Sequence, residues 1–135
     1  MTGSQGSIFR TALGWAGVTV SGRGVTQVVL PRDDRRGVAR ELAGAGRSPR
    51  GRSALLNRAV KLLERYFAGK RVVFDLPLDL DSATQFRKTV WKAASLIPHG
   101  STRSYAWVAQ RVGSPKAARA VGQAMAANPV PVLIP

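Results

Sequence analysis

The residues best suited to chemistry lie in an alanine-rich stretch near the C-terminal end of the sequence. Ser114 and Pro115 predict the start of a helix, because serine caps a first turn and proline at the first helical position loses no hydrogen bond. Helical spacing predicts a buried face and an outer face. The buried face is Ala117, Val121, Ala124 and Met125, and the outer face is Lys116, Arg119, Ala120, Gln123 and Ala127.

The outer face of this helix has a chemistry that fits nucleic acid. It is nearly flat apart from Arg119 and Gln123. Small side chains let a helix approach a duplex closely, and a long arginine on such a surface can enter between or beside bases. Helix propensity explains the alanines equally well, and Arg119 is one of sixteen arginines, so both interpretations stay open at this point.

A second short helix is predicted just before the first. Ser104 can cap a helix from Tyr105 to Arg111 that ends at a glycine turn, and two short helices joined in this way form a helix-turn-helix whose second helix reads DNA. His99, the single histidine, stands between a proline and a glycine. We predict it to be a loop residue and not a general base, because no catalytic partner is near it in sequence.

Composition narrows the kinds of site and of partner. The sequence has no cysteine, which excludes disulfides, thiolate metal sites and a cysteine nucleophile within its 135 residues, and one histidine makes a zinc site unexpected, so we predict no metal. The net charge of +14 comes from 21 basic against 7 acidic residues, and no acid follows Asp81. Nucleic acid is the expected partner, although charge that merely keeps the protein in solution is the alternative.

The N-terminal half predicts an α/β arrangement. A glycine turn joins two β-branched runs into a hairpin, which needs a covering element to be stable. The strand-like runs are 8–11, 16–21 and 25–30. The cover is a helix over 54–68 that Ser53 caps and Gly69 terminates. Its predicted buried residues are Leu56, Ala59, Val60, Leu63, Tyr66 and Phe67.

The segments around this helix carry weaker patterns. Residues 32–53 predict a long loop with at most one helical turn near 38–42, and a basic arm that touches the DNA backbone is the functional alternative. Residues 71–74 predict another strand, and the proline-containing segment 76–81 an extended linker, with a domain boundary near residue 80.

The C-terminal part is predicted to open with a helix that runs to about Leu96. Asp81, Ser82 and Thr84 are all candidate caps for it. Its predicted buried stripe is Phe86, Val90, Ala93, Ala94 and Ile97, with Trp91 beside it. After the alanine-rich helix, residues 130–135 predict an apolar strand bracketed by prolines.

Several motifs in residues 84–135 together resemble a known family. They are Val90-Trp91, Ile97-Pro98-x-Gly100, Ser104-Tyr105, Pro115-Lys116-Ala117-Ala118-Arg119-Ala120-Val121-Gly122 and Asn128-Pro129-Val130-Pro131-Val132-Leu133-Ile134-Pro135. In this order and spacing they resemble the O6-alkylguanine-DNA alkyltransferases. The resemblance implies an α/β fold class, with a small ribonuclease-H-like α/β domain at 1–80 and a mainly helical winged-helix or helix-turn-helix domain at 81–135. The second domain is expected to be incomplete.

The resemblance also implies roles for individual residues. The family flips a guanine alkylated at O6 out of the duplex and moves the alkyl group to a protein cysteine. Tyr105 would crowd the phosphate 3′ to the lesion, and Arg119 would fill the gap left in the stack, with the helix 115–127 in the minor groove. The other expected DNA contacts are Ser104, Lys116, Ala118, Ala120 and Gln123. The expected scaffold of the active site is Met125, Asn128 and Pro131.

The resemblance places the alkyl acceptor outside the sequence. In the family a Cys-His-Arg motif follows the strand that corresponds to 130–135, and a glutamate comes later, so residues 1–135 are predicted to be inactive. We expect either a selenocysteine at position 136 whose codon was read as a stop, or a mutation or sequence break in a cysteine enzyme. Sequencing past the Pro135 codon decides between them.

Two further functions stay open beside the enzyme. A non-catalytic module that binds alkylation damage would use Tyr105 and Arg119 without an acceptor, and a general minor-groove protein would need only the charge. The expected partner is double-stranded DNA containing O6-alkylguanine, bound by a monomer without a cofactor. No apolar run is long enough to span a bilayer, so no membrane partner is expected, and the predicted location is cytoplasmic, on the nucleoid in a prokaryote.

Overall fold

The N-terminal unit is built on an antiparallel sheet in a computed structural model that describes residues 4–42, 53–97 and 102–134. The chain divides into two units, residues 1–79 and 80–135. Within the described part of the first unit, strands β1 (Gln5–Thr11), β2 (Gly14–Val20) and β3 (Val25–Arg32) pair in the order β1-β2-β3. The predicted hairpin is therefore confirmed as the β2–β3 pair.

Two helices cover this sheet. Helix α1 (Arg35–Glu41) packs against β2 and β3, and helix α2 (Ala54–Phe67) packs against β1 and β2. The Ser53 hydroxyl accepts a hydrogen bond from the Leu56 N–H at 3.1 Å, which confirms the predicted cap. The predicted stripe is buried except for Tyr66, which is 39% exposed. Gly69 has a φ of +86°, as expected of a residue that ends a helix in the left-handed region.

Helix α1 corrects the prediction of a loop from residue 32 onward. Asp34 caps it by accepting a hydrogen bond from the Arg36 N–H at 2.9 Å. Its apolar residues Val38 and Leu42 lie directly on Gly17 of β2, where a side chain on the glycine would come within 2.8 Å and 2.7 Å of them. Packing onto a glycine, not local propensity, stabilises this seven-residue helix. The rest of the predicted loop, 43–52, lies outside the described residues.

The predicted strand at 71–74 is wrong. Val73 is 81% exposed, and these residues form no ladder with the described strands. The chain pairs instead a few residues later, where the Val25 N–H donates to the Pro77 carbonyl and the Asp79 N–H donates to the Val25 carbonyl, both at 2.8 Å. The segment predicted as a linker is thus extended, as expected, but hydrogen-bonded to the start of β3.

The described part of the C-terminal unit contains helices α3 (Gln85–Ser95), α4 (Tyr105–Arg111) and α5 (Ala118–Ala126). Thr84 is the cap of α3 among the three candidates, and Ser104 caps α4 as predicted. The buried side chains come from all three helices and from the segment after α5. They are Val90, Trp91, Ala93, Ala94, Val108, Ala109, Val121, Ala124, Val130 and Ile134. Phe86 and Ile97 of the predicted stripe are only half-buried.

Two predictions about the end of the chain are corrected. Helix α5 begins at Ala118, because Ser114 and Pro115 form a separate turn in which the Ser114 carbonyl accepts from the Ala117 N–H. No side chain caps the helix at Ala117. The apolar residues after α5 form a turn and not a strand, since the prolines at 129 and 131 cannot donate to a ladder. Pro135 and His99 lie outside the described residues.

Candidate nucleic-acid interface

The helix-turn-helix is formed by α4 and α5, which pack against each other. Gly113, with a φ of +82°, ends α4 in the left-handed region, and the Ser114 N–H donates to the Ala109 carbonyl at 2.9 Å. The turn of residues 114–117 that follows leads directly into α5. The structure therefore forms the predicted pair of short helices, although the second is shorter at its start than the sequence indicated.

The outer face of α5 is as flat as the sequence predicted. Of the five predicted residues, Arg119, Ala120 and Gln123 lie on α5 and Lys116 and Ala127 lie just outside its ends. All five are exposed, whereas Val121 and Ala124 are fully buried. Ala117 and Met125, both predicted on the buried side, are half-buried, and so is Ala118. This face offers alanine methyl groups and few long side chains, which is the surface that a helix needs to approach a duplex backbone closely.

Arg119 stands on this face without a partner in the part of the chain that the structure describes. Its side chain is exposed, and it forms no ion pair or hydrogen bond with the described residues. A guanidinium that is not held by a carboxylate can extend toward a ligand at little cost. Gln123, one turn further along α5, is also exposed.

Tyr105 lies against α5 through a contact that the sequence did not reveal. A Cβ atom built on Gly122 would lie 3.1 Å from Cε2 and 3.2 Å from Cδ2 of the tyrosine ring, so the ring covers the glycine backbone. Tyr105 is still 53% exposed. Gly122 follows Arg119 by three positions on the helix, which places the two on neighbouring sides of one turn. The structure thereby places the Tyr105 ring against α5 at a residue three positions after Arg119.

A second feature that sequence reasoning missed is a pair of arginines around Trp107. The guanidinium carbons of Arg103 and Arg111 lie 5.4 Å and 6.0 Å from the centre of the Trp107 ring. A cation over an aromatic face is attracted by the ring quadrupole, which holds both arginines along α4. For Arg111 the available signal was the spacing, because positions four apart on a helix meet on one side; Arg103 precedes α4, so helical spacing does not apply to it.

The segment after α5 is held by one side chain. The Asn128 amide donates to the Ile134 carbonyl at 2.9 Å and accepts from the Val130 N–H at 2.9 Å, so both halves of the amide are used. Pro131 lies half-buried in the turn between these two contacts, and Met125 lies half-buried at the end of α5. The expected scaffold residues Met125, Asn128 and Pro131 are thus neighbours in one short stretch of chain.

The charge of this unit favours an anionic ligand. Residues 82–135 contain seven Lys and Arg and no Asp or Glu, so the interface has no internal carboxylate to neutralise it. Across the described ranges, no group of three His, Cys, Asp or Glu side chains could hold a metal ion. None of the described helices is both long enough and apolar enough to cross a bilayer.

Comparison with known proteins agrees with this architecture. The model of the 6-O-methylguanine DNA methyltransferase DNA binding domain matches residues 85–135, and the model of the ribonuclease-like domain of the same proteins matches residues 39–80. The two matches confirm the predicted fold class, an α/β ribonuclease-like domain followed by a helical DNA-binding domain.

Individual relatives give the same result. The constitutive methylated-DNA–protein-cysteine methyltransferase of Bacillus subtilis is 50% identical over 80 residues, which are 59% of this chain and 48% of that protein. A protein of the same name from Mycobacterium tuberculosis is 49% identical over 77 residues, 57% of this chain and 46% of that one. The chain therefore spans about half the length of the curated relatives that it matches.

Solved structures cover more of the chain. The crystal structure of Mycobacterium tuberculosis OGT in complex with DNA is 33% identical with a TM-score of 0.74, and the match covers 97% of this chain and 74% of that one. The O6-methylguanine methyltransferase of the same organism matches with a TM-score of 0.72 at 32% identity, over 98% of this chain and 75% of that one. Together with the exposed Arg119 face and the tyrosine that covers Gly122, these matches show that the chain belongs to the O6-alkylguanine-DNA alkyltransferase family.

Proposed function

We propose that the chain is the DNA-binding and base-flipping part of a repair protein that moves an alkyl group from O6 of guanine to a protein cysteine or selenocysteine. The single observation that carries the proposal is the flat outer face of α5. Arg119 is exposed on this face, and the Tyr105 ring packs on Gly122, three residues after Arg119. The relatives with a related sequence are named for transfer from methylated DNA to cysteine, and one solved relative was crystallised with DNA.

In this proposal, residues on α5 and just before it make different contacts with DNA. The small residues Ala118 and Ala120 let the helix enter the minor groove, and Ser104 and Lys116 contact phosphates. Arg119 takes the place of the extruded guanine in the base stack. Filling this gap recovers part of the unstacking cost, which is a few kcal/mol for one base step.

Tyr105 would act on the backbone and not on the base. Its ring is fixed on one side by Gly122 and exposed on the other, so it can press on the phosphate that follows the lesion and favour rotation of the nucleotide. The nucleotide rotates about its backbone when the base leaves the duplex, so a contact on the neighbouring phosphate can favour this rotation. A ring that packs against α5 at this point can direct part of the binding energy into that rotation.

The transfer step needs a nucleophile outside residues 1–135, since these contain no cysteine. A thiolate or selenolate attacks the alkyl carbon, its S–C or Se–C bond forms as the C–O6 bond breaks, and guanine leaves with the bonding electron pair. Asn128, Met125 and Pro131 would shape the wall against which the flipped base lies. The alkyl group stays on the protein, so no cofactor takes part.

Equilibrium binding tests the proposal. Two duplexes that differ only in one O6-methylguanine are titrated with residues 1–135, and the ratio of the two Kd values is the lesion preference. We expect the lesion duplex to bind more tightly and Arg119→Ala to reduce the preference about tenfold, which is about 1.4 kcal/mol. Lys92→Ala removes the same charge from an exposed position of α3 and should leave the ratio unchanged. Equal affinity of the unaltered chain for both duplexes would refute base flipping.

A non-catalytic damage-binding module is the second candidate function, because the exposed Arg119 and Tyr105 side chains could bind a flipped nucleotide without any transfer of the alkyl group. The two candidates share the lesion preference and differ in whether labelled alkyl groups reach the protein. We further propose that the protein acts as a monomer on duplex DNA in the cytoplasm, on the nucleoid of a prokaryote. Gel filtration with the duplex gives the stoichiometry.

A further inference from the structure

The N-terminal unit carries positive charge that the α5 interface does not use. Residues 1–79 contain fourteen Lys and Arg against six Asp and Glu, which is a larger surplus than that of residues 80–135, with seven against one. Yet the family match assigns DNA binding to residues 85–135. A strongly basic ribonuclease-like unit therefore needs a separate explanation.

Part of this charge converges on one groove. Arg58, Lys61 and Arg65 lie along one side of α2 at spacings of three and four residues. After Gly69 the chain turns back, with the Lys70 N–H donating to the Arg65 carbonyl at 3.1 Å, and Arg71 joins the same groove. We call these four cations and the cavity of about 360 Å³ between them the basic groove, with Val72 and Val73 forming its apolar wall.

The basic groove is short of counter-charges. Arg58 pairs with Asp75 at 2.5 Å, and both side chains are more than half exposed. Lys61, Arg65 and Arg71 pair with no carboxylate of residues 4–42, 53–97 or 102–134. Lys61 and Arg65 are four apart on α2, a spacing at which like charges destabilise a helix. An anion bound between them would relieve this repulsion.

The dimensions of the groove indicate the kind of anion. From Arg58 to Arg65 the helix rises about 10 Å, at about 1.5 Å per residue. This line of cations is longer than one phosphate group, and successive phosphates of a DNA strand offer a matching line of negative charges. A single phosphate ion would meet only part of the line. Val73, which is 81% exposed, adds apolar surface beside it that fits a deoxyribose.

We propose that the basic groove binds the phosphodiester backbone of duplex DNA, independently of sequence and of the lesion, as a second contact besides α5. The choice of DNA as the polyanion rests on the proposed function. The groove adds affinity for any duplex through its phosphate contacts, whatever the base sequence. It therefore contributes to overall affinity but not to lesion recognition.

The test compares two double variants that remove equal charge from the same unit. Lys61→Gln with Arg65→Gln removes two cations of the basic groove, whereas Arg36→Gln with Arg40→Gln removes two exposed cations of α1. Kd for an unmodified duplex is measured at several salt concentrations. The groove variant should lower the slope of log K against log salt by about 1.8, or about 0.9 per phosphate contact, and the α1 variant should leave it unchanged.

The readouts separate this proposal from the proposed function. The groove variant should weaken binding to plain and O6-methylguanine duplexes by the same factor, so the lesion preference persists. If the slope of log K against log salt did not change in the groove variant, or fell equally in the α1 variant, the proposal that the groove binds DNA would be wrong. The base-flipping test would not be affected. Thermal denaturation of both variants shows whether each one folds as the parent chain does.

Discussion

Replacing Gly122 with alanine should have opposite effects on stability and on lesion recognition. In a helix interior alanine is more favourable than glycine by about 1 kcal/mol. The added methyl group, however, would lie 3.1 Å and 3.2 Å from two carbons of the Tyr105 ring, which is closer than ordinary van der Waals contact. Because Tyr105 is half-exposed at the start of α4, the ring can move and the helix need not.

The size of the displacement follows from these distances. Carbon atoms are in favourable contact at about 3.5 Å or more, so the ring must retreat by about 0.3–0.4 Å. A shift of this size costs less than the helix propensity gained, and we expect the melting temperature to stay the same or rise by a few degrees. Function is more sensitive than stability to such a shift, since misplacing a group by about 1 Å can lower a reaction rate about a hundredfold. For this smaller shift of the Tyr105 ring we expect the lesion preference to fall about threefold to tenfold.

A double-mutant cycle tests the cause. The lesion preference is measured for the parent chain, Gly122→Ala, Tyr105→Ala and the combination. If the methyl group acts by moving the ring, adding Gly122→Ala to Tyr105→Ala should change nothing further. A loss of the same size in both backgrounds would refute the reasoning, because the methyl group would then obstruct the DNA directly. A fall of several degrees in melting temperature would equally contradict it.

Three further predictions concern the C-terminal unit. Trp91→Phe removes the buried indole N–H that donates to the Ala124 carbonyl at 2.8 Å and should cost about 1–3 kcal/mol of unfolding free energy in urea titrations. Asn128→Ala should cost a similar amount, because it removes both the donor to the Ile134 carbonyl and the acceptor of the Val130 N–H; an unchanged unfolding free energy would show that Asn128 does not hold this segment. Residues 1–135 should take up no labelled methyl group from O6-methylguanine DNA, and a chimera that continues after Pro135 with the C-terminal segment of the Bacillus subtilis relative should take it up.

Local signals in the sequence predicted much of the fold. Ser53, Thr84 and Ser104 are caps whose side chains bond to backbone within three residues, so the helices after them could be placed from the sequence. The apolar periodicity of α2 likewise predicted its buried face. The hairpin followed from its β-branched runs and the turn between them.

The errors arose where distant parts of the chain decide the structure. Helix α1 depends on Gly17, which lies about twenty residues earlier and leaves room for Val38 and Leu42. Residues 71–74 have strand-like side chains, but the chain pairs only at 77–79 with the start of β3. At the interface, spacing alone predicted the exposed face of α5, whereas the contact of Tyr105 with Gly122 joins two helices and has no signature within either.

The hydrogen bond from Trp91 of α3 to the backbone of α5 also affects the conformational entropy that DNA binding would cost. The Trp91 indole holds the carbonyl of Ala124, and Asn128 fixes the chain immediately beyond the helix, so α5 is anchored to its own unit before DNA arrives. A recognition helix that is already ordered loses little conformational freedom on association. Under the proposed function, the deformation that accompanies binding would then fall on the duplex, which is the partner that has to open.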